Sequence, residues 1–144
     1  KSSEFLTYNE NSWGLTACDT PTGYNGYLGA APSGGGNTAH KNEGTVALAG
    51  SIGSMPFLSN EVMESLDYYY GFLDGMLVGK YGLYDAYNLD VSDTEPWVAK
   101  DVIGIDKGVS MLMIENYRSG LVWQCISKSE FMTRAIDVLE FTEV

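Results

Sequence analysis

Val62, Leu66, Tyr69, Leu73 and Leu77 recur at steps of three or four behind Ser59 and Glu61. Only an α-helix gathers that spacing onto one apolar face, with Ser59 as the N-cap and Glu61 in the first turn. Gly79 and Gly82 bracket its end. The run Val46 to Met55 is apolar and built of small residues, and Pro56 stops it, which suits a short helix packed closely by its neighbours. A third helix is predicted from about Gly108 to Ile126, and a fourth from about Ser129 to Phe141 with Phe131, Ala135, Val138 and Leu139 on one side. No sustained alternation of period two competes with these. The expected fold is therefore all-α, with helical hairpins packed in a layered array.

The 144 residues are one domain's worth, and a hydrophobic content of 44 % supplies a core. Residues 1–45 are loop-rich, with Pro32-Ser33-Gly34-Gly35-Gly36-Asn37 expected to be the most mobile stretch, and residues 46–144 are mainly helical. Residues 82–107 form a second irregular stretch, where Pro96 forbids a regular helix; a long loop that is not merely polar is often functional. Eight basic against 19 acidic residues give a net charge of -11, which repels nucleic acid and anionic membranes and suits a neutral ligand. No apolar run approaches bilayer length and no signal segment opens the chain; because it begins at Lys1, a processed or excised piece of something longer is expected.

Gly104-Ile105-Asp106-Lys107-Gly108 sets one carboxylate between two glycines at a helix mouth, where backbone amides can hold an ionised acid and a ligand can come close. Asp106 is either an N-cap or a reactive acid on this pattern alone. Asp19 and Asp85 also stand in loops, whereas Glu61, Glu64, Asp137 and Glu140 fall in or beside helices as surface charges would. Trp13, Tyr24, Tyr27, Tyr84, Tyr87 and Trp97 interleave with Asp19, Asn25, Asp85 and Asn88. Flat rings beside fixed polar groups make the surface a sugar needs, and glycoside hydrolysis needs two carboxylates across the scissile bond. Glu115 and Arg118 can pair at i and i+3. Cys18 and Cys125 form no metal pair and are either one disulfide or two thiols. His40, the sole histidine, excludes a histidine-rich metal site and sits in a glycine-rich stretch that gives a catalytic base no rigid support.

Seven segments taken in order carry a resemblance: Trp13 to Asp19, Gly23-Tyr24, Gly44 to Ala47, Gly53 to Phe57, Lys80 to Asn88, Gly104 to Gly108 and Met113 to Gly120. They resemble the motifs of the glycoamylase-like family, which takes in proteins described as glucoamylases and the bacterial endo-β-1,2-glucanases. The resemblance implies an (α/α)6 toroid whose loops on one face bind glucan, of which this chain resembles only the C-terminal part. Asp106 matches the acid of the family's Gly-Ile-Asp-Gln-Gly motif and is the implied catalytic or subsite acid. Asp19 and Asp85 match acids of the Trp-Gly-Leu and Tyr-Gly motifs, and Lys107 stands where Gln is usual.

The resulting expectation is a glycoside hydrolase acting on a neutral glucan, with β-1,2-glucan the favoured substrate. Asp106 is the catalytic candidate, and Trp13, Asp19, Tyr24, Asp85, Tyr87 and Asn88 are the substrate-binding candidates. No metal or organic cofactor is implied. The partner is a glucan or gluco-oligosaccharide, neither nucleic acid nor a membrane interior, with a homo-oligomer or the remainder of a longer chain as a further partner. A periplasmic or extracellular location follows from the resemblance. The rival readings are a non-catalytic glucan-binding protein and a helical fragment completed by a partner chain.

Overall fold

Helix-forming periodicity and tight turns alternate along the chain in the computed structural model, which describes residues 4–26 and 43–141. Tyr27, His40 and the Pro32–Asn37 stretch lie outside the described residues. In chain order the elements are β1 (Cys18–Thr20), β2 (Gly23–Asn25), β3 (Val46–Ala47), α1 (Leu48–Ile52), α2 (Ser59–Gly71), β4 (Val78–Gly79), β5 (Gly82–Leu83), β6 (Ala86–Asn88), β7 (Trp97–Val98), α3 (Gly104–Ser119), α4 (Leu121–Ser127) and α5 (Glu130–Val138).

The all-α expectation of toroid-type hairpins is corrected here, because the described residues hold seven strands beside the five α-helices. The strands form three small antiparallel sheets, β1-β2, β3-β6-β7 and β4-β5. Each strand is two or three residues long. A period of two cannot show in so few residues, and what holds them is pairing between distant segments: Val46 faces Tyr87, which faces Val98 on its other side.

Helix boundaries move for physical reasons. α2 stops at Gly71, and Phe72–Gly75 continues as a single tight 3-10 turn, so Leu77 joins the core from outside the helix. Leu58, rather than Ser59, is its N-cap. Gly79 and Gly82 make a hairpin instead of a helix end. The predicted third helix starts earlier, at Gly104, and breaks at Gly120, which takes φ 67° and ends α3 before α4 leaves in a new direction. Asn116 fastens that corner, its buried side chain accepting from the Trp123 amide at 3.0 Å. Ser129 caps α5 by accepting from the Met132 amide.

The core gathers Val46, Leu48, Ile52, Tyr69, Leu77, Leu83, Tyr87 and Val98 between the three-stranded sheet and α1 and α2. Tyr69 is fully buried and its hydroxyl donates to the Trp13 carbonyl at 2.8 Å while lying 3.1 Å from the Ser51 hydroxyl, tying the N-terminal loop to α1. Tyr69→Phe is expected to cost about 1–3 kcal/mol, since the Trp13 carbonyl loses its donor in a dry site; a urea midpoint matching wild type would refute the tie. A second knot lies at Asp90, which accepts from the Leu6 amide at 2.7 Å and from the Thr7 amide and hydroxyl at 3.1 and 2.7 Å. Burial works to raise the Asp90 pKa, but these three hydrogen bonds outweigh it and hold the carboxyl below its usual value.

The outer faces of α3, α4 and α5 are apolar and open. Ile105, Met111, Phe131, Val138 and Leu139 are all more than 60 % exposed, and the predicted stripe of the fourth helix lies on this open side. Phe57 and Trp123 stack partially over the break between α3 and α4, their ring centroids 5.7 Å apart.

Candidate active site

Three carboxylates that are far apart in sequence meet beside the start of α3. Asp85 sits between β5 and β6, and its Oδ2 accepts the Asp19 backbone amide at 2.7 Å, which draws β1 against β6. Its carbonyl in turn accepts the Leu48 amide at 3.2 Å, so the strand junction is held from two sides. Asp106 lies in the first turn of α3 behind the N-cap Ile103, which has no side-chain oxygen to offer. Asp106 is thus not the N-cap, and its carboxylate is left for other partners. Lys107 turns inward and its Nζ donates to the Leu83 carbonyl, pinning the helix start to β5.

Electrostatics separate the acids. Burial pushes Asp85, 4 % exposed, up to about 7; the hydrogen bond from the Asp19 amide pulls it down, and the neighbouring Asp106 carboxylate pushes it up again. Burial also raises Asp19, helped by the charges of Asp101 and Asp106. Lys107 is lowered by burial, with Asp85 and Asp106 opposing that effect. Cys18 is buried as a free thiol and raised to about 12 by burial and by Asp85, Asp19, Asp106 and Glu43, so it is inert. Cys125 is also free, and exposed, which settles against a disulfide.

Asp106 is half-buried and borders two spaces. Behind it, a narrow cavity of about 10 Å³ is lined by Asp85, Asp106, Lys107, Tyr84 and Ser110 with apolar residues of α1 and Ile103. In front, an open hollow of about 340 Å³ is lined by Thr16, Ala49, Gly50, Gly53, Ser54, Ile105, Asp106 and Val109. Gly50 also floors a neighbouring hollow of about 330 Å³ lined by Tyr8, Trp13, Gly14 and Leu15. An apolar ring floor and a carboxylate thus border adjoining hollows of sugar-binding size.

The predicted residues divide on this map. Asp19, Asp85 and Asp106 come together, and Trp13 lines the adjoining hollow. Tyr24 is exposed on β2 and clear of both hollows. Tyr87 is corrected: its ring is wholly buried between Tyr69 and Phe72, and its hydroxyl donates to Ser12, leaving no face for a sugar. Asn88 is corrected too, since its buried amide donates to the Glu43 carbonyl at 3.0 Å and the Thr45 hydroxyl at 2.9 Å while its oxygen accepts the Asp90 amide. Both serve the core. Tyr84 borders the narrow cavity, the Lys100 ammonium lies over its ring, and Trp97 packs against the Cys18 cluster. Glu115 and Arg118 do pair, at 2.9 Å, on the exposed side.

Sequence reasoning missed Tyr8, Thr16 and Ser54 as lining residues. Tyr8 was accessible to the same test as the other loop aromatics; Thr16 and Ser54 carry no local signal, because only the fold brings the N-terminal loop, the end of α1 and the start of α3 to one hollow.

The glycoamylase family model, whose description is "Putative glucoamylase", matches residues 1–130. An exo β-1,2-glucooligosaccharide sophorohydrolase of Parabacteroides distasonis is 30 % identical over 94 % of this chain, which spans 17 % of that relative's length. A solved β-1,2-glucanase from the same organism superposes with a TM-score of 0.77 at 30 % identity, covering 94 % of this chain and 18 % of its own. The endo-β-1,2-glucanase of Chitinophaga pinensis, solved with sophorotriose and glucose, gives a TM-score of 0.75 at 27 % identity, with 94 % and 29 % covered. The chain spans less than a third of each of these relatives, and it belongs to the glycoamylase family.

Proposed function

We propose that this chain forms one side of the cleft of a glycoside hydrolase that cleaves β-1,2-linked glucan. The reading rests above all on one observation: Asp106, freed from capping, opens onto a hollow that adjoins the Trp13 hollow at Gly50. Its relatives' names include β-1,2-glucan-cleaving enzymes, and the related endo-β-1,2-glucanase was solved with sophorotriose and glucose. A sugar ring stacks on Trp13, and the Asp106 carboxylate acts on the glycosidic carbon or on the attacking water through an oxocarbenium-like transition state. The net charge of -11 suits a neutral polysaccharide. A periplasmic or extracellular location goes with such a substrate.

The test is reducing-end release from linear β-1,2-glucan by the protein at its natural length, with starch and β-1,3-glucan alongside. Release from β-1,2-glucan alone is expected; release from none of the three overturns the reading. Trp13→Ala is expected to raise KM about fivefold, equivalent to about 1 kcal/mol of stacking, with kcat little changed. An unchanged KM would remove Trp13 from the cleft.

The open apolar rows of α3, α4 and α5 favour a second role for the same chain, as a packing surface for further helices or another chain. A sharp monomer peak on sizing, with no dye binding to exposed apolar surface, would refute it.

A further inference from the structure

We propose, on the reading of this face as a hydrolase cleft, that Asp85 is a positioning residue for Asp106: the two side chains share one proton in the narrow cavity beside the start of α3, with Asp85 as the donor that fixes the Asp106 carboxylate.

The geometry carries this assignment. Asp85 is 96 % covered, and only one of its oxygens is used by the fold, Oδ2 on the Asp19 amide at 2.7 Å. Oδ1 is enclosed and has no hydrogen-bond partner among the described residues. A buried carboxylate oxygen in that state is costly, whereas a protonated one needs only an acceptor. Asp106 borders the same small cavity, and its charge works to keep the Asp85 proton on. Lys107, the one cation on the cavity wall, spends its ammonium on the Leu83 carbonyl. Two carboxylates confined together repel, and a single proton between them turns repulsion into a hydrogen bond.

The groups that bear on the pair are Asp19 and Cys18 from β1, Asp106 and Lys107 from α3, and Tyr84 beside Asp85. Because Asp85 holds its proton up to about pH 7 in the fold and releases it in the ordinary carboxylate range when unfolded, its stabilisation is complete at low pH. It is lost as pH rises towards 7. The Asp85 proton stays where it is in the reaction; its part is to hold Asp106 in place.

The experiment compares the protein at its natural length with Asp85→Asn, Asp85→Ala and Asp106→Asn, by urea unfolding from pH 4 to 8 and by the pH profile of β-1,2-glucan hydrolysis. Relative to Asp85→Asn, wild-type stability is expected to decline by one proton's slope between the ordinary carboxylate range and about pH 7 and to level off above it, and Asp106→Asn is expected to move the end of the decline to lower pH. An Asn at position 85 can still accept from Asp19 and donate to Asp106, so kcat falls only about tenfold and its pH dependence near 7 disappears. Asp85→Ala, which supplies no donor, loses about 100-fold. Parallel stability profiles for wild type and Asp85→Asn would overturn the proposal. The absence of hydrolysis by wild type would sink the hydrolase reading instead, and the stability profiles would still decide where the proton resides.

Discussion

Asp106→Asn is expected to cut kcat on β-1,2-glucan by about three orders of magnitude while leaving affinity for the oligosaccharide within about threefold. The substitution keeps the shape and the position in the first turn of α3, and it removes the one half-buried carboxylate that borders the open hollow. A group acting in the transition state alone lowers kcat and kcat/KM together, whereas a purely binding acid would raise KM. Steady-state kinetics on the natural-length protein, with calorimetric titration of an unhydrolysed oligosaccharide by the variant, separate the two. Turnover within tenfold of wild type would take Asp106 out of the chemistry.

Gly14→Ala is expected to destabilise the protein by about 3 kcal/mol or more. Gly14 holds φ +133°, and a Cβ there would stand 2.4 Å from the Ala47 carbonyl oxygen and 2.9 Å from the Ser51 amide nitrogen. Neither neighbour can turn aside, because both are backbone atoms of the β3–α1 junction, and Ala47 itself donates to the Gly14 carbonyl at 3.0 Å. Relief requires the Trp13–Leu15 loop to lift, which displaces the ring from its hollow as well. A urea midpoint within about 0.5 kcal/mol of wild type would show that the loop is not seated this way. Any stability loss should come with a weaker response to glucan.

The periodic residues of α2 announced that helix because its apolar face packs the core: Val62 and Tyr69 are both wholly buried. The strands were illegible for a different reason. Val46 and Ala47 look like the opening of a helix, and only Ala86 and Tyr87, about forty positions on, make them a strand. The break at Gly120 was hidden by helix-compatible residues on both sides, since a single left-handed glycine ends one helix and starts the next.

At the site, loop acids were the legible feature. Asp19, Asp85 and Asp106 could be picked out because charged side chains between apolar segments have no surface role to play there. The rings were not separable by that means. Trp13 and Tyr87 share the same loop-like context, yet one borders a hollow and the other fills the space between Tyr69 and Phe72. Asn88 misled for the same reason: a polar residue in a loop binds backbone as readily as ligand, and here it holds Glu43 and Thr45.

The knot between Thr7 and Asp90 has a consequence for the order in which the molecule is made. Its two ends are 83 residues apart, so at about 5–20 residues per second roughly 4 to 17 s separate their synthesis. Throughout that interval Tyr8 lacks the Tyr87 and Val98 part of the core it packs against, because β6 and β7 are still to be made. The N-terminal loop therefore waits for the distal half of the sheet before Asp90 can fasten it, and the ribosome rather than the loop's own sequence sets when the Thr7 end of the knot is tied.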